Sequence, residues 1–249
     1  MLNFTVYIRQ FSSIILLLLV WHITAILWQN SMLPPPSSVV QLIWQEMLSG
    51  QLWFHLSATL LRVLISFIIA MLIGSIIGIL MGRSKITDQF LDPWLIVFLN
   101  IPALVVIILA YVWFGLAELT AIFAIAINKI PNVIVTMREG ARTLNEDYDQ
   151  MAHSFNLSKR KILIYITLPQ LLPFFAVAAR SGIALIWKIV LVVELLGRSN
   201  GVGFQLHLYF QLFDVTGIMA YSFSFILIML TIEYTLLQPL ERKINRWRG

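Results

Sequence analysis

The sequence predicts an all-α membrane protein with six transmembrane helices in one domain, residues 1–249. Fifty-nine per cent of the residues are hydrophobic and the mean hydropathy is +0.87. Only 12% are charged, against about 25% in a soluble domain. The apolar residues also come in continuous blocks close to the ~20 residues that carry a helix across a bilayer. Alternating segments of ~10 residues, the mark of a β-barrel, are not seen. Cysteine is absent, which excludes disulfides, thiolate metal sites and a cysteine nucleophile. His22, His55, His153 and His207 are scattered without metal-ligand spacing.

The first span, about residues 11–28, follows Arg9 and carries no formal charge. It exceeds the apolar core of a signal peptide and lacks a small-residue cleavage site, so it reads as a retained helix. Pro34-Pro35-Pro36 closes it, and Ser38 is a candidate cap for a short amphipathic surface helix ending near Leu48. The second span, 59–81, contains Arg62 near its start, which reads as a snorkelling side chain with no further role. Small residues recur along it every four positions, at Ala70, Gly74, Gly78 and Gly82. Such a stripe admits a closely packed neighbour, although membrane helices also tolerate glycine generally. The third and fourth spans, 93–114 and 119–137, are separated by a short turn at Gly115 and Glu118. Residues 171–196 and 217–237 form the fifth and sixth.

Six spans place both termini on one side. In that arrangement Arg9, Arg83, Lys85, Arg138, Arg142, Lys159, Arg160, Lys161, Arg242, Lys243, Arg246 and Arg248 share the side of the termini, and only Arg198 lies in a loop opposite. This asymmetry makes the termini cytoplasmic. It also accounts for the net charge of +5 without nucleic acid as a partner.

The one long polar segment, residues 138–168, separates the fourth and fifth spans. Asn145-Glu146-Asp147 suits a helix start, and Tyr148, Met151, Ala152 and Phe155 follow at helical spacing. Asn156 suits the left-handed position that ends a helix. Ser158 is a candidate cap for a second helix, whose face Ile162, Tyr165 and Ile166 leads to Leu168-Pro169. The pattern predicts a stiff helix–reversal–helix outside the bilayer.

That segment resembles the EAA loop of permeases from binding-protein-dependent ABC importers. Ala152, Leu168 and Pro169 match its pattern, while Gln150 stands where Glu is usual, Met151 where Ala is usual and Asn156 where Gly is usual. Trp113-Phe114-Gly115-Leu116-Ala117-Glu118-Leu119, Trp187, Val193-Glu194 and Ser199-Asn200-Gly201-Val202-Gly203 are similar to the nitrate, sulfonate and taurine branch. The resemblance covers most of the chain from Thr59 onward. It implies the type I importer fold in a bacterial inner membrane. Two permease copies would pair, cytoplasmic ATPase subunits would grip the loop, and an extracytoplasmic binding protein would deliver the solute. Gln150, Met151, Ala152, Phe155, Asn156, Leu157, Ser158, Lys159, Leu168 and Pro169 become the coupling residues. Phe155 and Met151 would be apolar anchors and Ser158, Lys159 and Arg160 a polar rim.

The chain holds no G-x-x-x-x-G-K-[ST] phosphate loop. ATP and magnesium would belong to the partner ATPase, and this chain is expected to be no enzyme. Ionisable groups inside spans are costly in hydrocarbon, by ~2.5–3.5 kcal/mol each, and normally face protein or water. Lys129, Arg180, Lys188 and Glu194 are therefore candidates either to line a pathway for an anion or to form internal ion pairs, with Glu233 as a further counter-charge. The alternative function is an ion-gradient-driven secondary transporter. That class favours inverted repeats and mid-membrane acids, and neither is evident here.

Overall fold

The computed structural model describes residues 2–28, 30 and 32–239 and is helical almost throughout. Helix α1 (Leu2–Trp28) leads to α2 (Pro36–Leu48), α3 (Gln51–Arg83), α4 (Lys85–Asn100), α5 (Ala103–Phe114) and α6 (Glu118–Arg142). Then come α7 (Glu146–Ser154), α8 (Lys159–Ile162), α9 (Leu168–Gly197), α10 (Val202–Gln211) and α11 (Val215–Ile232). Residues 240–249, with Arg242, Lys243, Arg246 and Arg248, lie outside the described residues.

The core is the bundle of α3, α6 and α9. Ala70 is fully buried, and the three glycines after it let α3 lie directly against α6. A β-carbon on Gly78 would stand 2.7 Å from the Ile134 carbonyl oxygen, and one on Gly82 would stand 2.5 Å from Ala141 Cβ. At Gly74 it would stand 2.6 Å from Val133 Cβ. With no hydrophobic drive between helices in lipid, such close van der Waals contact is what binds them. One cluster, with Leu56, Ile107, Tyr111, Ile125, Ile186 and Tyr221, fills the half of the bundle near the start of α3. A second, with Met71, Val133, Met137 and Leu171, fills the half towards α7.

Three expectations need correction. Among the described residues four helices are long and apolar enough to cross a membrane, or five if one bent pair is a single span. The expected count was six. The described apolar part of the first, Ser12–Trp28, falls among the shorter helices. The third is the bent pair: α4 and α5 meet at 96°. The cause is Pro102, which forces Ile101 into extended backbone (ψ 126) and cannot continue a helix. The short surface helix α2 starts at Pro36 itself, without a Ser38 cap. Proline is well suited to the first helical turn, where its missing N–H would go unpaired anyway.

The return arm of the polar segment also differs from a separate short helix. It runs without a break into α9, giving one helix Arg160–Gly197. A π-helical turn, Leu163–Thr167, joins the two, with the Leu168 N–H bonded to the Leu163 carbonyl. This wider turn falls where Pro169 has no N–H to offer the preceding turn, so the helix passes through.

Candidate functional site

Helix α7 ends in a reversal that carries the 6→1 hydrogen bond of a Schellman motif after a last α-helical bond. The Leu157 N–H donates to the Ala152 carbonyl at 3.0 Å, and the Phe155 N–H donates to the Met151 carbonyl at 3.1 Å. Asn156 sits between them at φ 49. Asparagine enters this left-handed region more readily than other non-glycine residues, so it serves where glycine is usual. Ala152 is buried inside the reversal, whereas Met151 (45%) and Phe155 (74%) are exposed. Gln150, Ser158, Leu168 and Pro169 are exposed as well, and Leu157 is half-buried. The side chain of Lys159 lies outside the described residues. The base of the protrusion is tied by the Asn145 N–H, which donates to Gln170 Oε1 at 3.1 Å. At the start of α7 the Asn145 side chain accepts from the Asp147 N–H at 2.8 Å. An exposed aromatic and a thioether on a stiff, doubly tied knob form a surface suited to another protein.

The opposite end of the bundle holds a buried charge network. Arg62 does not snorkel, because α3 begins at Gln51 and so extends eleven residues beyond it. The side chain is 2% exposed. Nε and Nη2 donate to the two carboxylate oxygens of Glu118 at 2.6 and 2.9 Å. Nη1 donates to Glu194 Oε1 at 2.6 Å and to the Asn200 carbonyl at 3.0 Å, and Nη2 also reaches Asn200 Oδ1. All five guanidinium donors are thereby used. Arg198 adds a bond to Glu118 at 2.7 Å, so two cations face two carboxylates.

Glu194, fully buried, does more than balance Arg62. Its Oε2 accepts from Thr59 Oγ1 at 2.9 Å and from the Gly203 N–H at 2.8 Å. The Val202 N–H donates to Thr59 Oγ1 at 2.8 Å, and the Gly201 N–H donates to His55 Nδ1 at 3.1 Å. The first free N–H groups of α10 are thus capped by side chains of α3 and α9, not by a residue of their own turn. Gly201, at φ 109, packs against the Glu194 carboxylate, where no side chain would fit.

The other intramembrane charges separate into two settings. Lys129, midway along α6, is 1% exposed, and among the described residues it has no carboxylate within ion-pair distance. It fits behind α9 because residue 182 is glycine, where a β-carbon would stand 2.9 Å from Lys129 Cε. Lys129 and Glu194 therefore open onto no surface of this protomer, and Glu194 forms an internal ion pair with Arg62, the other of the two readings. Arg180 and Lys188 are exposed on α9, two turns apart. Arg180 lies 3.6 Å from Glu233. Sequence reasoning missed Thr59, His55, Arg62 and Asn200. An arginine in an apolar run requires a carboxylate, but the sequence alone does not choose among Glu118, Glu194 and Glu233.

The profile of the family described as "Binding-protein-dependent transport system inner membrane component" matches residues 70–237, which is most of the bundle and the whole protrusion. The chain belongs to that family. As a binding-protein-dependent permease it is a membrane component of an ABC importer and not its ATPase. It is 34% identical to "Putative aliphatic sulfonates transport permease protein SsuC" of Escherichia coli (strain K12), over 74% of this chain and 71% of that one. With "Taurine transport system permease protein TauC" of the same organism the identity is 28%, over 95% of this chain and 88% of that one. With "Riboflavin transport system permease protein RibX" of Chloroflexus aurantiacus it is 32%, over 95% and 89%. Among solved structures, one titled "Inward facing conformations of the MetNI methionine ABC transporter" superposes with a TM-score of 0.62 at 17% identity. It covers 81% of this chain and 96% of that one, and it shows that the permease has the same fold.

Proposed function

We propose that this permease forms half of an alternating-access pathway for a small anion of the sulfonate, nitrate or taurine kind. An extracytoplasmic binding protein hands over the solute, and two cytoplasmic ATPase subunits engage residues 138–168 of two permease copies. The observation that carries the anion is the exposed Lys188, with Arg180, which faces Glu233, two turns from it on the same helix. Lys188 lies roughly 13 Å from the nearer end of α9, at a depth where a cation facing lipid is costly. A water-filled pathway or a second copy removes that cost. Similarity to the sulfonate and taurine permeases points the same way.

The charge asymmetry supports an orientation with both termini and the protrusion in the cytosol. This orientation needs α1 as a sixth crossing, and its 27 residues span ~40 Å, enough for the ~30 Å core. The decisive experiment reconstitutes the permease with its ATPase and binding protein and follows uptake of labelled taurine, an alkanesulfonate and nitrate. Replacing Lys188 or Arg180 by alanine is expected to lower uptake of the transported anion at least tenfold with assembly intact. Unchanged uptake in both variants would remove the anion pathway from α9. Failure of any ATPase to co-purify would remove the coupling role of 138–168.

A further inference from the structure

At the end of the bundle nearest the protrusion, two helices mesh through charges of matched spacing. Asp88 and Asp92 stand one turn apart on α4, and Arg138 and Arg142 stand one turn apart on α6. Arg138 Nη1 donates to Asp92 Oδ1 at 2.5 Å and lies 3.4 Å from Asp88 Oδ1. Arg142 Nη2 donates to Asp88 Oδ2 at 2.6 Å, while Glu139 steadies Arg142 from the same helix at 2.9 Å. The Asp88 and Arg138 side chains are largely covered, at 21% and 15% exposed.

The rest of α4 is held less firmly. Leu95 packs with Met81 and Ile134, but an apolar cavity of about 280 Å³ remains between α4 and the α3–α6 pair. Leu91, Trp94, Ile130 and Pro131 are among its walls. One end of α4 is therefore pinned by charge, its middle has room to move, and its far end meets the 96° bend at Pro102. The pinning partner is the last turn of α6, from which the protrusion departs within three residues.

We propose that Asp88, Asp92, Arg138 and Arg142 are positioning residues for energy coupling. They carry displacement of the protrusion into α4 and, through the bend, into α5. Apolar contacts alone can slide, whereas paired charges fix register. Motion then passes between packed elements as discrete rearrangements. The inference rests on the reading of 138–168 as the ATPase-engaging segment.

The natural chain contains no cysteine, so introduced spin labels report only chosen positions. Ser154→Cys marks the protrusion, Asn100→Cys the end of α4, and Leu61→Cys serves as reference on α3. Distances are read by electron–electron double resonance in transporters carrying one doubly labelled copy, nucleotide-free and trapped with ATP and vanadate. Both distances are expected to change with the natural charges. In Asp88→Asn/Asp92→Asn the 154–61 change is expected to persist and the 100–61 change to be lost. Reversing all four charges is expected to restore it, which a merely structural role would not do. A 100–61 change that survives neutralisation, or is missing from the natural chain while 154–61 moves, overturns the proposal. Absence of ATPase from the purified complex instead overturns the reading beneath it.

Discussion

Replacing Glu194 by alanine tests how burial, rather than distance, sets the strength of an ion pair in this protein. Arg62 lies 2.6 Å from both Glu118 and Glu194, yet their side chains are 45% and 0% exposed. Removing the buried partner leaves a guanidinium short of compensation in a closed site, which costs about 3–5 kcal/mol. It also strands the Gly203 N–H and the Thr59 hydroxyl, and each unsatisfied group adds ~1–3 kcal/mol if nothing relaxes. The lower figure is the safer one, because these losses share a site and do not add. Glu118→Ala also strips two bonds from the buried guanidinium, but water reaches the half-exposed carboxylate's place, so its expected cost is smaller than that of Glu194→Ala, about 1–3 kcal/mol.

The assay is unfolding of the purified chain by sodium dodecyl sulfate in mixed micelles, followed by circular dichroism. With Arg62→Met as the other single variant, Arg62→Met/Glu194→Ala completes a double-mutant cycle and is expected to fall short of the summed single losses by about 2 kcal/mol. Equal destabilisation by Glu118→Ala and Glu194→Ala would refute the argument from burial. Additive losses across the cycle would refute the pair itself.

Gly78→Leu should prevent α3 and α6 from closing, since even a β-carbon would stand 2.7 Å from the Ile134 carbonyl. The expected result is loss of monodisperse protein on size exclusion, with Leu80→Ala, an exposed site on the same helix, as the tolerated control. Asn156→Gly should leave the α7 reversal stable or improve it slightly, while Asn156→Val should destabilise it by about 1–2 kcal/mol; amide hydrogen exchange at Leu157 reads the difference. Phe155→Ala, at a 74% exposed position, should shift the unfolding midpoint little. It is expected to reduce recovery of the ATPase in a pull-down severalfold.

Much of this fold is legible because lipid imposes simple patterns. The small-residue stripe on α3 repeats at helical spacing, so the close α3–α6 contact can be read from one helix alone. The reversal after α7 is equally local: an apolar face ends at an asparagine that accepts φ 49. The bend at Pro102 was also written locally, but the apolar run on either side masks it. Composition registers hydrophobicity along 93–114 and is indifferent to a change of direction. Continuity of the return arm with α9 is hidden for the opposite reason. Pro169 looks like a boundary, and only the π-helical turn ahead of it lets the helix continue.

The charges show where single-sequence reasoning stops. A buried arginine announces a need for carboxylates, but identifying them requires knowing which turns of different helices share a depth. Glu118 and Glu194 lie 56 and 132 residues from Arg62 along the chain, so no local pattern joins them. Lys129 and Lys188 show the converse. Both look alike in sequence, as lysines in apolar runs. One is enclosed because residue 182 lacks a side chain, and the other stands on the open face of the same neighbouring helix. Which cation is left accessible is therefore decided by the rotation of α9 against α6. That rotation is set by packing at Gly182, Ala178 and Val133, not by the charged residues themselves.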